Sequence, residues 1–461
     1  MSKRTAPTDL ARRAFLRRAA LTGAAGAAAP WALNLSLMAD AAAAANPGDY
    51  KALVCVFLYG GNDYCNTLPP VDSTNHAAYA RIRGSLATPL ANLADTTLAS
   101  NQTLANGLQY ALAPEMGPLK TLWDAGRVAV QLNVGPLIQP TTLAQYNARS
   151  VPLPPKLFSH NDQVSIWQSD LPEGAKSGWG GRMGDLLLSG NGGSVFTCVS
   201  VTGNAVYLSG QTAVQYQLST TGAVAINGIS RSLNGSSTAQ AALRSLITAS
   251  NPHVLGDEYA RVTRRSIEAE GQVTAALAAL PTLATPFDTS SLSQQLRMVA
   301  RMIAARSSFG TGRQVFMVSL GGFDLHDFLV DRQPGLLRNL ASSMSTFYNA
   351  TVELGVADKV TTFTASDFGR TLTSNGDGSD HGWGNHHFLM GGAVKGKQFF
   401  GAAPALAVGG PDDVGQGRLL PTTSVDQFGA TLASWLGISD SNLPIVVPNI
   451  GKFSTRNLGF V

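Results

Sequence analysis

FTASDFGRTLTSNGDGSDHGWGNHHFLMGGAVKGKQFFG, residues 363–401, crowds Asp367, Arg370, Asp380, His381, His386 and His387 into a glycine-rich segment with few bulky apolar side chains. The whole chain has 7 His, and three of them fall here. Imidazoles and carboxylates gathered away from water are costly unless paired, hydrogen-bonded or bound to a cation. A metal site is the simplest explanation. Asp367 follows the apolar, β-branched run Val360 to Ala365, which puts it at the carboxyl end of a strand, where open α/β sheets bind their ligands. The three His follow on a loop that can fold back over the same edge. His386 and His387 are adjacent at the start of a predicted strand, His387 to Gly391, so their side chains point to opposite faces and one of the pair is expected in the site.

Outward from this segment, strand-like runs occur at Ala52 to Tyr59, Val128 to Val134, Val195 to Val201, Gln314 to Leu320 and Val360 to Ala365. Helical patterns stand between several of them, at Glu115 to Ala125, Leu292 to Ser307 and Leu336 to Leu354. The alternation predicts one α/β domain over residues 46–461, with a largely parallel central sheet and helices on both faces. From about residue 203 to 290 the composition shifts to Ala, Ser, Thr, Gln and Gly. A mainly helical inserted cap is expected there, with a hairpin at Ala205 to Val214 and a long helix over Leu255 to Leu280.

Three further clusters sit at strand ends. The first strand runs into Gly60-Gly61-Asn62-Asp63, where two glycines permit a tight positive-φ turn and Asp63 lies just past the sheet edge, although an ordinary turn uses the same letters. The fourth runs into Gly321-Gly322-Phe323-Asp324-Leu325-His326; residues two apart on an extended segment share a face, so Asp324 and His326 can reach one metal. A Pro-rich loop leads to Phe158-Ser159-His160-Asn161, just before a predicted helix over Gln163 to Gln168. A hydroxyl at a helix amino terminus beside a metal suits a nucleophile, and an N-cap explains Ser159 equally well.

Residues 1–45 read as a twin-arginine (Tat) signal: Arg12-Arg13 within Ala11 to Arg17, an uncharged Ala/Gly/Leu stretch to Met38, and small residues before a cleavage expected near Ala45. The reading implies a bacterial protein exported by the Tat translocon, folded and with cofactor loaded, to the periplasm or beyond. Of 33 Lys+Arg and 29 Asp+Glu, this segment carries six basic and two acidic residues, which leaves 27 of each in the remainder. A balanced remainder gives no support for a nucleic-acid or anionic-membrane partner, and no second apolar span suggests stable membrane insertion. Cys55 and Cys198 lie in apolar strands, where a buried free thiol is the usual state, and with Cys65 they make a poor disulfide framework.

Taken together, LYGGNDYCNTLPP (58–70), FSHNDQVSIWQ (158–168), SLGGFDLHD (319–327), SDFGRT (366–371) and DHGWGNHHFLMGGAVKG (380–396) resemble domain-of-unknown-function family 1501, Tat-exported proteins grouped with the alkaline-phosphatase-like and sulfatase-like superfamily. The matching segments run in family order across nearly the whole of 46–461. The resemblance implies an alkaline-phosphatase-like fold whose sheet edge carries a two-metal site for hydrolysing phosphate or sulfate esters through a Ser, Thr or modified Cys. Carried over by position, Asp63 belongs to one metal beside the nucleophile and Asp324 and His326 to another. Asp367 sits between them, His381 or His386 completes the shell, and Arg370 clamps an anionic oxygen. Phe368 stands where superfamily hydrolases carry a His, a gap that His381 can fill. None of the Cys lies in the signal for formylglycine formation, which argues against a standard sulfatase.

The expected function is thus an exported hydrolase of phosphate, sulfate or related anionic esters, small or polymeric. It would use one or two divalent transition-metal ions (Zn, Mn or Fe), with Asp63, Asp324, His326, Asp367, His381 and His386 as ligands and Ser159, His160 and Arg370 in catalytic roles. The alternative is a non-catalytic periplasmic protein on a degenerate phosphatase-like fold, binding an envelope partner through the insertion. Trp179, Trp383 and Trp435 offer sugar-stacking surfaces in principle, but isolated Trp residues more often pack in cores and rims.

Overall fold

The computed structural model describes residues 49–229 and 232–461; the Arg12-Arg13 motif and the expected cleavage near Ala45 lie outside the described residues. Among the described residues ten strands form one sheet: β1 (Lys51–Leu58), β2 (Val128–Gly135), β3 (Cys198–Ser200), β4 (Tyr216–Ser219), β5 (Gly222–Ala223), β6 (Arg313–Leu320), β7 (Val360–Ser366), β8 (Asn385–Gly391), β9 (Phe399–Phe400) and β10 (Thr423–Ser424). Their order is β10-β2-β8-β7-β1-β6-β3-β4-β5, with β9 beside β2. The central neighbours β7, β1, β6 and β3 are mutually parallel. β8 runs antiparallel between β7 and β2, and β5 antiparallel to β4.

The period of two in β1 explains how one strand serves two cores. Ala52, Val54, Val56 and Leu58 face one side, with Leu119, Leu296, Leu340 and Met344. Leu53, Cys55 and Phe57 face the other, with Trp179, Met183, Phe428 and Leu432. Helices Gly117–Asp124, Val254–Ala278, Ser291–Ala304 and Leu329–Glu353 cover the first side, and His160–Ser169, Trp179–Leu187 and Val425–Leu436 the second. In Ser291–Ala304 the buried Leu292, Leu296, Val299 and Ile303 recur at helical spacing. Each such side chain, fully buried, contributes about 1.5–3 kcal/mol.

Two expectations are corrected. Ala205 to Val214 is not a hairpin: Val206–Leu208 is a 3-10 turn, and the short hairpin comes later, as β4 and β5. The helix expected from Leu336 begins at Leu329 and takes Pro334 inside it. Its start is fixed from outside, because Leu329 N donates to Asp377 O (3.0 Å) and Phe328 N to Asp377 Oδ2 (3.2 Å). Within the insertion, helices Ser237–Thr248 and Val254–Ala278 pack on each other and leave Leu246, Val254, Leu255 and Tyr259 exposed. Cys55, Cys65 and Cys198 are buried and free, and Trp179 and Trp383 are core residues. Among the described residues no helix is long and apolar enough to cross a membrane.

Candidate metal centre

Because β7, β1 and β6 are adjacent and parallel, their carboxyl ends deliver Asp367, Gly60 and Asp324 side by side. The antiparallel β8 begins at that same edge, so the loop before it brings Asp380 and His381 there too. His160 arrives from the second side of the sheet, as the first residue of its helix. Gly60 is required where it stands: at φ 114° a Cβ would lie 2.3 Å from Asp324 N. Its own N–H donates to Asp367 Oδ1 (3.1 Å).

The centre is organised on one atom, Asp324 Oδ1. His160 Nε2 lies 3.3 Å from it, His326 Nε2 3.0 Å, His381 Nε2 3.4 Å and Arg370 Nη1 2.9 Å. Each imidazole is held through its other nitrogen. His160 Nδ1 is 2.7 Å from Asp367 Oδ2, His326 Nδ1 is 3.2 Å from Asp380 Oδ1, and His381 Nδ1 is 2.8 Å from Phe158 O. Carboxylates and carbonyls only accept, so each Nδ1 carries a proton, and each Nε2 is the atom free to give its lone pair to a cation or to carry a second proton toward Asp324 Oδ1. Phe158 supplies its carbonyl from a left-handed backbone at φ 71°, a conformation costly for an aromatic residue. The Phe368 ring lies 4.8 Å from both the His160 and the His381 rings, an apolar wall in the place where a further His was considered.

Two features of this donor set suit a cation. His160 Nε2 is buried and, apart from its 3.3 Å approach to Asp324 Oδ1, has no hydrogen-bond partner. His326 Nε2 and His381 Nε2 stand 2.8 Å apart, so their lone pairs oppose each other unless one carries a proton or both turn to a shared cation. His160, Asp324 and His381 offer ligand atoms that all lie within 4.8 Å of one another. Anchoring of a ligating His by a carboxylate or carbonyl at its other nitrogen is the usual support of a metal site.

Electrostatics follow from these contacts. The hydrogen bond to Asp367 raises the His160 pKa against the opposing effect of burial, and Asp324 adds to it. Burial lowers that of His381, with the charges of His160, Arg370 and His326 acting in the same direction. For Asp324 burial disfavours ionisation, but the Arg370 hydrogen bond and charge outweigh it and hold the carboxyl below the usual range.

The other candidates fall elsewhere. Asp63 is 2 % exposed and fully engaged: Oδ1 accepts from Asn66 N (3.1 Å), and Oδ2 from Arg83 Nη2 (2.8 Å) and Ser379 Oγ (2.7 Å). It stands one layer behind the cluster. His386 turns into the core against Tyr64 and Tyr110, its Nδ1 accepting from Asn133 N (3.1 Å), and burial lowers its pKa to about 4. His387 points to the opposite face against Trp167 and Phe428, with its pKa lowered by burial to about 3. Neither member of the pair enters the site. Asp367 acts through His160. Arg370 is no substrate clamp: beyond Asp324, its guanidinium donates to Gly60 O (2.9 Å) and through Nε to Ser379 O (2.9 Å). Ser159 Oγ donates to Asp162 Oδ2 (2.9 Å) and makes no cap bond to the helix backbone. Sequence reasoning did not foresee Arg83, the Phe158 carbonyl or the pairing of Asp380 with His326. Only Asp380, beside His381, carried a local signal.

Beside the cluster opens a cavity of about 540 Å³, lined among others by Tyr59, His160, Val164, Gln168, Glu173 and Asp324.

No curated protein matches the sequence. Among solved structures, the lipoteichoic acid synthase LtaP from Listeria monocytogenes aligns at 9 % identity and TM-score 0.33, covering 88 % of this chain and 76 % of its own. Ps i-CgsB in complex with k-i-k-neocarrahexaose aligns at 10 % and 0.34, covering 89 % and 77 %. A Bacteroides thetaiotaomicron protein, from a study of the metabolism of multiple glycosaminoglycans, aligns at 12 % and 0.34, covering 85 % and 74 %. Residues 50–445 match the family described as protein of unknown function (DUF1501), and the chain belongs to that family.

Proposed function

We propose that this protein is an exported, metal-dependent hydrolase of phosphate, sulfate or related anionic esters. It uses one divalent transition-metal ion, held by His160, Asp324, His326 and His381. The observation that carries the reading is the convergence of three Nε2 atoms on Asp324 Oδ1 beside a cavity. Neutral imidazoles with a carboxylate suit Zn, Mn or Fe. Such an ion supplies Lewis acidity toward an ester oxygen and brings the pKa of water toward neutrality. Everything else is the work of the chain: Asp367, Asp380 and the Phe158 carbonyl fix the imidazole tautomers, and Arg370 fixes Asp324. Phe368 keeps water from the faces of His160 and His381. In this reading a water is the nucleophile, and the Ser159 hydroxyl, which donates to Asp162, is not called on. Export rests on the Arg12-Arg13 motif.

A second reading, a non-catalytic envelope protein with a structural metal, is favoured by the exposed Leu246, Val254, Leu255 and Tyr259 of the insertion, a surface suited to a partner. The two separate in one assay. Chelator-treated protein is offered p-nitrophenyl phosphate, bis-p-nitrophenyl phosphate and p-nitrophenyl sulfate with Zn, Mn or Fe restored singly. Turnover that depends on one of these ions, disappears in Asp324→Ala and persists in Ser159→Ala supports the hydrolase. No turnover with any ion, or turnover without one, sinks it.

A further inference from the structure

Behind the cluster lies a buried polar chain that makes no contact with the cavity. Arg83, the last residue of helix Ser73–Arg83, donates from Nη2 to Asp63 Oδ2 (2.8 Å) and from Nη1 to Thr371 O (3.2 Å). The same Asp63 oxygen accepts the Ser379 hydroxyl (2.7 Å). Ser379 in turn touches both segments that carry His and Asp ligands. Its carbonyl accepts from Arg370 Nε (2.9 Å) and Nη2, and its N–H donates to Leu325 O (3.2 Å), midway between Asp324 and His326. The next residues after Ser379 are Asp380 and His381. The side chains of Arg83 and Arg370 are fully buried, and Ser379 and Asp63 are 0 % and 2 % exposed.

We propose that Arg83, Asp63 and Ser379 form a positioning relay for the metal site: they set Ser379, and through it the Arg370 guanidinium and the Leu325 backbone, so that Asp324 and His326 meet His381 in register. The inference rests on the metal reading above. Its physical basis is that a buried carboxylate with one charged and two neutral donors has a single low-energy arrangement, and each link in the chain has lost the freedom to choose another. The packing around it is equally exclusive. A Cβ on Gly378 would lie 2.2 Å from His326 O, so the Ser379 loop sits against the His326 backbone with no room for a side chain. The relay also explains why Asp63, which stands at a strand edge like Asp324 and Asp367, is not a ligand.

The test uses Co²⁺ as the probe on chelator-treated full-length protein, read by visible absorption and by titration, for wild type, Ser379→Ala and Asp63→Asn. Both substitutions remove a hydrogen-bonding feature without touching a ligand, and thermal unfolding of the metal-free proteins verifies that each is folded. The expected result is Co²⁺ affinity weakened about 10–100-fold in both variants, the range found for outer-shell partners, with altered positions and intensities of the visible bands. A merely structural contribution would lower the melting temperature and leave the spectrum unmoved. Folded variants with wild-type affinity and an unchanged spectrum overturn the relay while leaving the metal site standing. A wild-type chain that takes up no Co²⁺ removes the metal reading and the relay with it.

Discussion

Arg370 Nη1 lies 2.9 Å from Asp324 Oδ1, the same oxygen that three imidazole nitrogens approach. A buried guanidinium thus holds a half-exposed carboxylate in the one orientation in which it meets all three His. Arg370→Met removes that hold and leaves Ser379 O and Gly60 O without their donor. We expect a loss of about 2–4 kcal/mol in urea unfolding, together with loss of bound metal. Arg370→Lys keeps the charge but not the fork, and should recover stability better than metal binding. A Met variant that keeps wild-type metal content contradicts the assignment.

Gly60→Ala tests the close approach of the first strand end to Asp324. The substitution combines a φ of 114° with a Cβ placed 2.3 Å from Asp324 N, so the turn must move. A destabilisation on the order of 2 kcal/mol or more is expected. Gly271→Ala, inside helix Val254–Ala278 where a Cβ meets nothing within 4 Å, is the control and should be near neutral or stabilising. Equal effects of the two would contradict a steric origin.

Asp367→Asn probes the support of His160. The carboxylate raises the His160 pKa, so in metal-free protein the His160 resonance of the Asn variant should titrate at lower pH than in wild type. Metal affinity should fall about 10–100-fold. An unshifted His160 titration would mean that Asp367 does not hold the imidazole.

His386 and His387 make a separate pH prediction. Burial lowers their pKa values from 6.5 to about 4 and about 3, so below pH 6.5 the unfolded chain takes up protons that the native chain refuses. Their share of stability is whole above about pH 6.5 and declines as pH falls toward those native values. His387→Leu should show a shallower fall in urea midpoint between pH 6.5 and 4.5 than wild type. Parallel curves would exclude His387 as a source of the slope.

The fold was largely legible in the sequence because β1, β6 and β7 are apolar runs that end in Gly or Asp, and the helices between them bury residues at helical spacing. Asp324, His326, His160 and His381 were legible as candidates for the same reason: each stands at a strand end, a helix start or in the glycine-rich loop. What the letters could not carry was the direction of a side chain. Asp63 occupies the same kind of place as Asp324, yet Arg83, 20 residues on, captures it. His386 is as close to the loop as His381, but it lies inside β8, where the pleat turns it into the core against Tyr64. Ser159 stands at the expected N-cap position, and the nearest acceptor, Asp162, takes its hydroxyl.

Metal content of protein purified without chelators is the most direct measurement, on wild type and on the Asp324→Ala and His381→Ala variants. One equivalent of Zn, Mn or Fe per chain, lost in both variants, is the predicted result. A wild-type chain without transition metal, or variants that keep the full equivalent, would contradict a metal centre built on Asp324 and the three His around it.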